Sequence, residues 1–397
     1  MRTVALLLAA LSGRAQAPLP PDLEALTKIR ARMTFHLEHQ PNYTCVETIE
    51  RSSRAKTGKL KVLDTLRLEV ALVDGREMFA WPGSKEFDHF DLTKMVTSGA
   101  IGNGDFGGFA KALFTTSSAT FHYVGQEDFR GKKAIRFNYD VPRLISGYRV
   151  RVASASAIVG FHGLFYADPA TFDVERIEVI ADDLPPDLLL SLVDDKIDYA
   201  VARIGDGDFL LPSQSELSMV GALGGEERNR LKFSSCRQFS GESVITFADV
   251  PAAKADAAPI PLREFDLPKG LELDLEIAQD IDLRTAAVGD PVEVRTNRDL
   301  KQKGVILIPK GATATGRITR FERYDSYSIL GVEFPEIEAP GILARMKGSL
   351  DRIVGITQAR MRYVLRGRTP LQPGEGIFAV NATERRLPRG CIMFWRT

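Results

Sequence analysis

Five histidines and three cysteines stand among 397 residues, so metal, nucleophilic and thiol chemistry have few places to sit. His36 and His39 are three apart in a stretch of helical periodicity, a spacing that could begin a metal site. The string HLEH is not H-E-x-x-H, however, and no third ligand is placed beside it. Surface histidines near a helix end are the plainer reading, and when protonated they suit the helix dipole. Gly102 to Gly107 (GNGDFG) matches G-x-G-x-x-G. A dinucleotide site needs that motif between a strand and a helix, and residues 88–100 do not read as a buried strand. A loop before a short helix is expected there. No P-loop, G-x-S-x-G, S-x-x-K or kinase signature occurs, and no cofactor is implied.

Carboxylates are abundant. Asp182-Asp183, Asp194-Asp195 and the row Glu272, Asp274, Glu276 could serve a glycosidase only if two faced each other across a cleft. The last row reads more simply as the wet face of a strand. Asp206-Gly-Asp208 lacks the spacing of an EF-hand loop and reads as a turn. Asn42-Tyr-Thr44 and Asn381-Ala-Thr383 have the form of glycosylation sequons.

The feature with most weight is aromatic. Phe121, Tyr123, Ile135, Phe137 and Tyr139 share one parity on two arms joined at Arg130-Gly131, so all should face one side of a hairpin. The opposite parity carries His122, Arg136 and Asn138, which suits solvent. The aromatic face either packs as core under a helix or lines an apolar cavity for a lipid-like ligand. Metal ligands are not expected among these residues.

The elements that must position this face can be read along the chain. Residues 22–40 form an amphipathic helix, with Leu23, Leu26, Ile29, Met33 and Leu37 as its apolar stripe and Asp22 as the expected N-cap. Strand chemistry begins at Asn42. Leu60, Val62, Leu66, Leu68, Val70 and Leu72 alternate, and Asp74-Gly75 turns the chain back. FGGFAKALF suggests a short helix. Strands follow near 147–154, 158–166, 172–181, 195–204, 210–220 and 231–236. Val250 to Ile260 is Ala/Pro-rich and reads as a linker. Beyond it, Leu267-Pro-Lys-Gly270, Ile308-Pro-Lys-Gly311 and Leu387-Pro-Arg-Gly390 each precede a strand. A type I turn is expected at each, reused as a strand-entry device in a compact β module.

Composition narrows the classes of function. Lys+Arg and Asp+Glu are 52 each, which excludes a bulk electrostatic grip on nucleic acid or anionic lipid. Arg2, the apolar run Val4–Leu11, and Ala15 and Ala17 read as a signal peptide over residues 1–17. No apolar run is long enough for a spanning helix. The expected location is the periplasm or the exterior. Such a compartment suits a Cys45–Cys236 bridge, the alternative being three buried thiols, and leaves Cys391 free.

The helix, the long antiparallel meander, and the stretches NYTCVETIER, LFYADPATFDVERIEV and SSCRQFSGESVITF resemble the outer-membrane lipoprotein carrier and sorting-protein superfamily. The resemblance covers residues 22–247 and implies an unclosed β-barrel with helices as a lid. It carries over no functional residue. The stretch LIPKGATATGRI looks like TrbI-type β-barrel domains over residues 264–397. The expected architecture is therefore mainly β (α+β): a helix-covered curved antiparallel sheet at 18–247, a linker at 248–263 and a small β-barrel at 264–397. The expected function is non-enzymatic, as a binder of an apolar or lipid-like ligand or an envelope structural protein. The alternatives are an envelope-polymer hydrolase and an interaction module for an envelope protein partner.

Overall fold

The computed structural model describes residues 19–84, 87, 108–152, 155–239, 262–356 and 374–397. The leader at 1–17, the glycine motif at 102–107 and the Ala/Pro-rich stretch lie outside them.

Helix α1 spans Pro21–Glu38. Proline at the first helical position costs no hydrogen bond, and Asp22 and Glu24 complement the dipole from the first turn. Asp22 is thus inside the helix; Pro20 holds the cap position, with no side-chain cap bond. The inward stripe is Leu26, Ile29, Met33 and His36. Leu23 points elsewhere: at 3.6 residues per turn it lies about 100° around the helix from the mean of those four, and it is exposed.

The first sheet runs from β1 (Tyr43–Arg54), β2 (Lys61–Val73) and β3 (Arg76–Ala80) to helix α2 (Gly108–Phe114), then β4 (Thr120–Phe129) and β5 (Lys132–Val141). A separate hairpin, β6 (Arg149–Val152) and β7 (Ala155–Ile158), precedes β8 (Gly160–Ala167), β9 (Val174–Asp182), β10 (Leu190–Ile204), β11 (Gly207–Gly221) and β12 (Glu226–Gln238). Ten of these strands form one curled antiparallel sheet in the order β3-β2-β1-β12-β11-β10-β9-β8-β5-β4. Asp74 and Gly75 both have positive φ, as do Arg130 and Gly131, so both expected hairpins close on type I′ turns. Cys45 on β1 and Cys236 on β12 are disulfide-bonded, with Cα atoms 4.1 Å apart.

The strands beyond residue 262 are β13 (Arg263–Asp266), β14 (Glu272–Ile277), β15 (Ile281–Asp282), β16 (Pro291–Thr296), β17 (Leu300–Gln302), β18 (Val305–Ile308), β19 (Thr313–Arg323) and β20 (Tyr327–Glu333), of which β17 and β18 form a two-stranded sheet of their own. They continue with β21 (Glu336–Ala339), β22 (Ile342–Arg345), β23 (Ser349–Val354), β24 (Glu375–Asn381), β25 (Arg386–Leu387) and β26 (Ile392–Arg396); β25 pairs with β15 in another two-stranded sheet, and the other ten strands form the second large sheet. Strands β24-β20-β19-β16-β14-β26-β23 make a continuous hydrogen-bonded run. Its two ends meet through side chains: a Cβ added at Gly376 on β24 would stand 2.7 Å from Leu350 Cβ on β23 and 2.5 Å from the Trp395 ring. Glycine there lets the barrel close.

The three L/I-P-K/R-G motifs do enter strands, but not through type I turns. Pro309 O accepts from Ala312 N, and Pro388 O accepts from Cys391 N. Proline is therefore at the first turn position and glycine at the third, with φ of +84° at Gly311 and +87° at Gly390. That is the requirement of a type II turn. The leading Leu267, Ile308 and Leu387 are buried, so each motif plugs the core one residue before it turns.

The two sheets share a core. Tyr43, Ile49, Leu66, Leu68 and Phe233 of the first pack in one cluster with Val288, Ile318, Leu330 and Trp395 of the second. Strand β3 pairs only with the distal half of β2. At the uncovered edge Arg67 N donates to Val288 O and Val288 N donates to Thr65 O. Arg67 also pairs with Asp290, and Arg317 lies over the Trp81 ring.

Candidate ligand-binding face

Register assigns the inner face of the first sheet. One cross-sheet row reads Leu66, Ile49, Leu231, Ser215, Ile197, Ile177, Phe165, Phe137, Tyr123. The next reads Asp64, Arg51, Asn229, Leu217, Asp195, Val179, Gly163, Tyr139, Phe121. All five apolar residues singled out in the sequence therefore belong to one side of the sheet. Ile135, Phe137 and Tyr139 are buried, and Phe121 is partly buried. Tyr123 is 45% exposed because β4 is the edge strand; its ring still reaches Phe137, 5.2 Å between centroids.

The aromatic rings interlock. Phe137 stacks on Phe165 at 5.3 Å, and Phe114 meets Phe165 edge-on at 5.1 Å. Phe109 of α2 contacts Phe161 and Tyr148 in the same edge-on manner. Helix α2 contributes Phe109, Ala110, Leu113 and Phe114 to this cluster, and α1 contributes Ile29 and Met33 fully buried with Ala25, Leu26 and Leu37 partly so.

Polar bonds pin α1. Arg30 donates to Phe114 O (3.2 Å) and Thr116 O (2.9 Å), satisfying carbonyls at the end of α2. Arg32 Nε donates to Asp173 Oδ1 (2.7 Å), and His36 Nε2 shares that oxygen at 2.9 Å. Burial pushes the Asp173 carboxyl upward, but the Arg32 and His36 hydrogen bonds outweigh it and hold the group below its ordinary range. His36 is buried, contrary to the surface expectation, and its partner is a carboxylate rather than a metal. The His39 ring lies 2.8 Å from Phe35 O, on a different partner.

Tyr139 crosses a glycine. Its hydroxyl donates to Glu178 O at 2.7 Å. A Cβ on Gly163 would stand 1.9 Å from that carbonyl and 2.8 Å from the hydroxyl. Burial raises the Tyr139 pKa, so the hydroxyl keeps its proton.

The other half of the inner face holds buried polar groups, of which only Asp195 is among the carboxylates named from the sequence. Arg51 pairs with Asp64. Asn229, Asp195 and Ser215 are buried. Glu47 lies between Leu68 and Phe233, fully buried, and neither carboxyl oxygen has a hydrogen-bond partner among the described residues. Burial, with the Glu77 charge adding to it, raises its pKa well above the ordinary value. The signal was present: Glu47 and Arg51 share the parity of Cys45 and Ile49 in CVETIER, and charge on an apolar parity marks a special position.

The outer face is a charge ladder. Glu50, Arg230, Glu216, Lys196 and Glu178 alternate in sign across five strands. A trough of about 590 Å³ opens there, with Asp198 held by Arg176 (2.6 Å), Arg130 (2.6 Å) and Gln214 (2.7 Å). The expected carboxylate pairs separate in the same way. Asp182 faces His162, Asp194 faces Lys196, and Asp195 turns inward. Glu272 and Asp274 meet Arg298 on the wet face of β14. Among the described residues, no cluster of three His, Cys, Asp or Glu could hold a metal ion, and no helix is long and apolar enough to cross a membrane. Cys391 is free and buried, its thiol pushed up to about 11 by burial, then by Glu384 and Asp280.

No family model matches the chain. No curated protein matches it either. Among solved structures it is similar to an outer-membrane lipoprotein-sorting protein domain from Vibrio parahaemolyticus, at 13% identity over 56% of this chain and 94% of that one, TM-score 0.32. It is similar to a LolA superfamily protein from Nitrosomonas europaea, at 11% identity over 56% and 96%, TM-score 0.28. A DUF1329 family protein from Desulfovibrio piger gives 13% identity over 57% and 96%, TM-score 0.32. Likeness at this level transfers no residue, ligand or activity, and it assigns no family to the second barrel.

Proposed function

We propose that this is a non-enzymatic envelope protein, periplasmic or secreted, that holds an apolar or lipid-like ligand on the inner face of its first sheet, beneath α1. The observation that carries the reading is the lid. Helices α1 and α2 together cover the aromatic face; α1 fully buries Ile29 and Met33, packs Ala25, Leu26 and Leu37 in part, and is fastened by Arg30, Arg32 and His36. Polar fasteners are exchangeable with water, and aromatic faces accept apolar chains without directional chemistry. An acyl chain that took the place of Ile29 and Met33 in this cluster would leave the sheet intact.

Titration of the folded chain with cis-parinaric acid tests this. Saturable fluorescence gain, abolished in Phe137→Trp with the fold retained, is the expected result. A well-folded chain that gives no saturable signal refutes the reading.

A further inference from the structure

A second surface lies at one end of the first sheet. Register brings together the end of β5, the start of β8, the β9–β10 loop and the β11–β12 turn: Val141 opposes Phe161, Gly160 opposes Asp182, and Leu190 opposes Gly221. Hydrogen bonds tie this rim together, with Ala222 N donating to Leu189 O at 2.8 Å and Gly221 N to Gly225 O at 2.8 Å. Each loop carries an outward aliphatic residue at its tip: Leu144 is 95% exposed, Leu223 87%, Leu189 71% and Ile145 54%. Single exposed leucines are ordinary, but four on three adjoining tips are a patterned surface.

Leu189 adds an independent sign. Its φ is +52°, left-handed backbone that a branched side chain adopts at a cost and that Gly or Asn would adopt freely. The strained leucine faces water rather than the core, so packing does not require it. Backbone strain kept where the fold does not need it points to use. Arg143 beside Gly160, Arg149 next to Tyr148 and Lys56 beside Gly224 stand at the same rim with no ion-pair partner among the described residues, and Asp183 and Asp187 are exposed in the β9–β10 segment.

The geometry points to a lipid bilayer as the occupant: this rim docks edge-on at a membrane surface, with Leu144, Ile145, Leu189 and Leu223 entering the acyl boundary and the three cations at the headgroups. Separate, highly exposed aliphatic tips suit a fluid surface. A protein partner would be met through the aromatic and arginine anchors that dominate such interfaces. Interfacial binding needs only apolar area and a modest attraction to anionic headgroups. Behind the rim, Leu188, Val193 and Met219 form a small core whose Tyr148 also touches the aromatic cluster, so the docking end and the proposed ligand face are continuous. The inference stands on the rim alone, whatever the ligand.

Flotation of the full chain with phosphatidylcholine vesicles, with and without phosphatidylglycerol, tests it. Wild type should float with both and more strongly with the anionic ones. Leu144→Asp with Leu223→Asp should lower partitioning at least tenfold with the thermal midpoint unchanged. Leu189→Asn should raise the midpoint, by relieving the backbone, and still weaken flotation several-fold. Val305→Asp, an exposed site on the second barrel, should change nothing. Phe137→Trp should lose cis-parinaric acid binding yet float as wild type, which separates this surface from the ligand face. Wild type that fails to float, or a double variant that floats equally well, overturns the proposal. So does capture of an envelope protein by a chain that ignores vesicles.

Discussion

Replacing Gly163 by alanine is the sharpest perturbation of the inner face. The added methyl would meet Glu178 O at 1.9 Å and the Tyr139 hydroxyl at 2.8 Å. Neither can retreat freely: Glu178 O belongs to β9, which is paired on both sides, and Tyr139 is packed against Phe161. Forcing a methyl into a filled site costs about 1–3 kcal/mol, and losing the Tyr139 hydrogen bond adds about 1 kcal/mol. The expected destabilisation of Gly163→Ala is therefore about 2–4 kcal/mol. Tyr139→Phe, which removes the bond but not the space, should cost about 1 kcal/mol. Urea melts followed by near-UV circular dichroism measure both. In the double variant the two costs should sum to less than their total, since both remove the same bond. A Gly163→Ala melt within about 0.5 kcal/mol of wild type, the scatter of an ordinary surface change, would show that Tyr139 does not cross the sheet at this glycine.

Phe137→Ala removes the ring at the centre of the aromatic row and should cost about 3–5 kcal/mol in the same melts; a cost below about 1 kcal/mol would place Phe137 at the periphery instead. Breaking the Cys45–Cys236 bond with paired Cys→Ala changes frees a separation of 191 residues, for which chain entropy assigns about 5 kcal/mol; unchanged stability would mean that the unfolded chain is already constrained. Glu47 titrates with the opposite sense to a paired carboxylate. Its pKa is raised on folding, so its favourable contribution is complete below the ordinary 4.5 and is lost as pH rises from there through the raised folded value. Glu47→Gln should therefore gain on wild type as pH climbs through that window, and parallel stability profiles would contradict the burial.

Parity and turn chemistry made much of the fold legible. Asp74-Gly75 and Arg130-Gly131 marked two hairpins correctly because few residue pairs accept two positive φ angles. The five aromatic-face residues fell on one side because the side-chain period in a strand is two. What parity could not tell was the cover. Glu47 and Arg51 stood on an apolar parity, but their burial is decided by what lies above the sheet, and Leu23 left the stripe because helix phase needs a partner to define it. The L/I-P-K/R-G turns were placed correctly but mistyped, since the choice between types I and II rests on which residue carries the positive φ. The shared core of the two sheets, with the bridge between Leu66 and Val288 at its edge, is announced by no local pattern.

Native mass spectrometry of the protein, purified from its own envelope without detergent, tests the central claim most directly. Wild type should carry an additional mass that organic solvent extracts and that is absent from Phe137→Trp prepared in the same way. A bare polypeptide mass from both, with both chains folded, would contradict the claim that the inner face beneath α1 holds an apolar ligand.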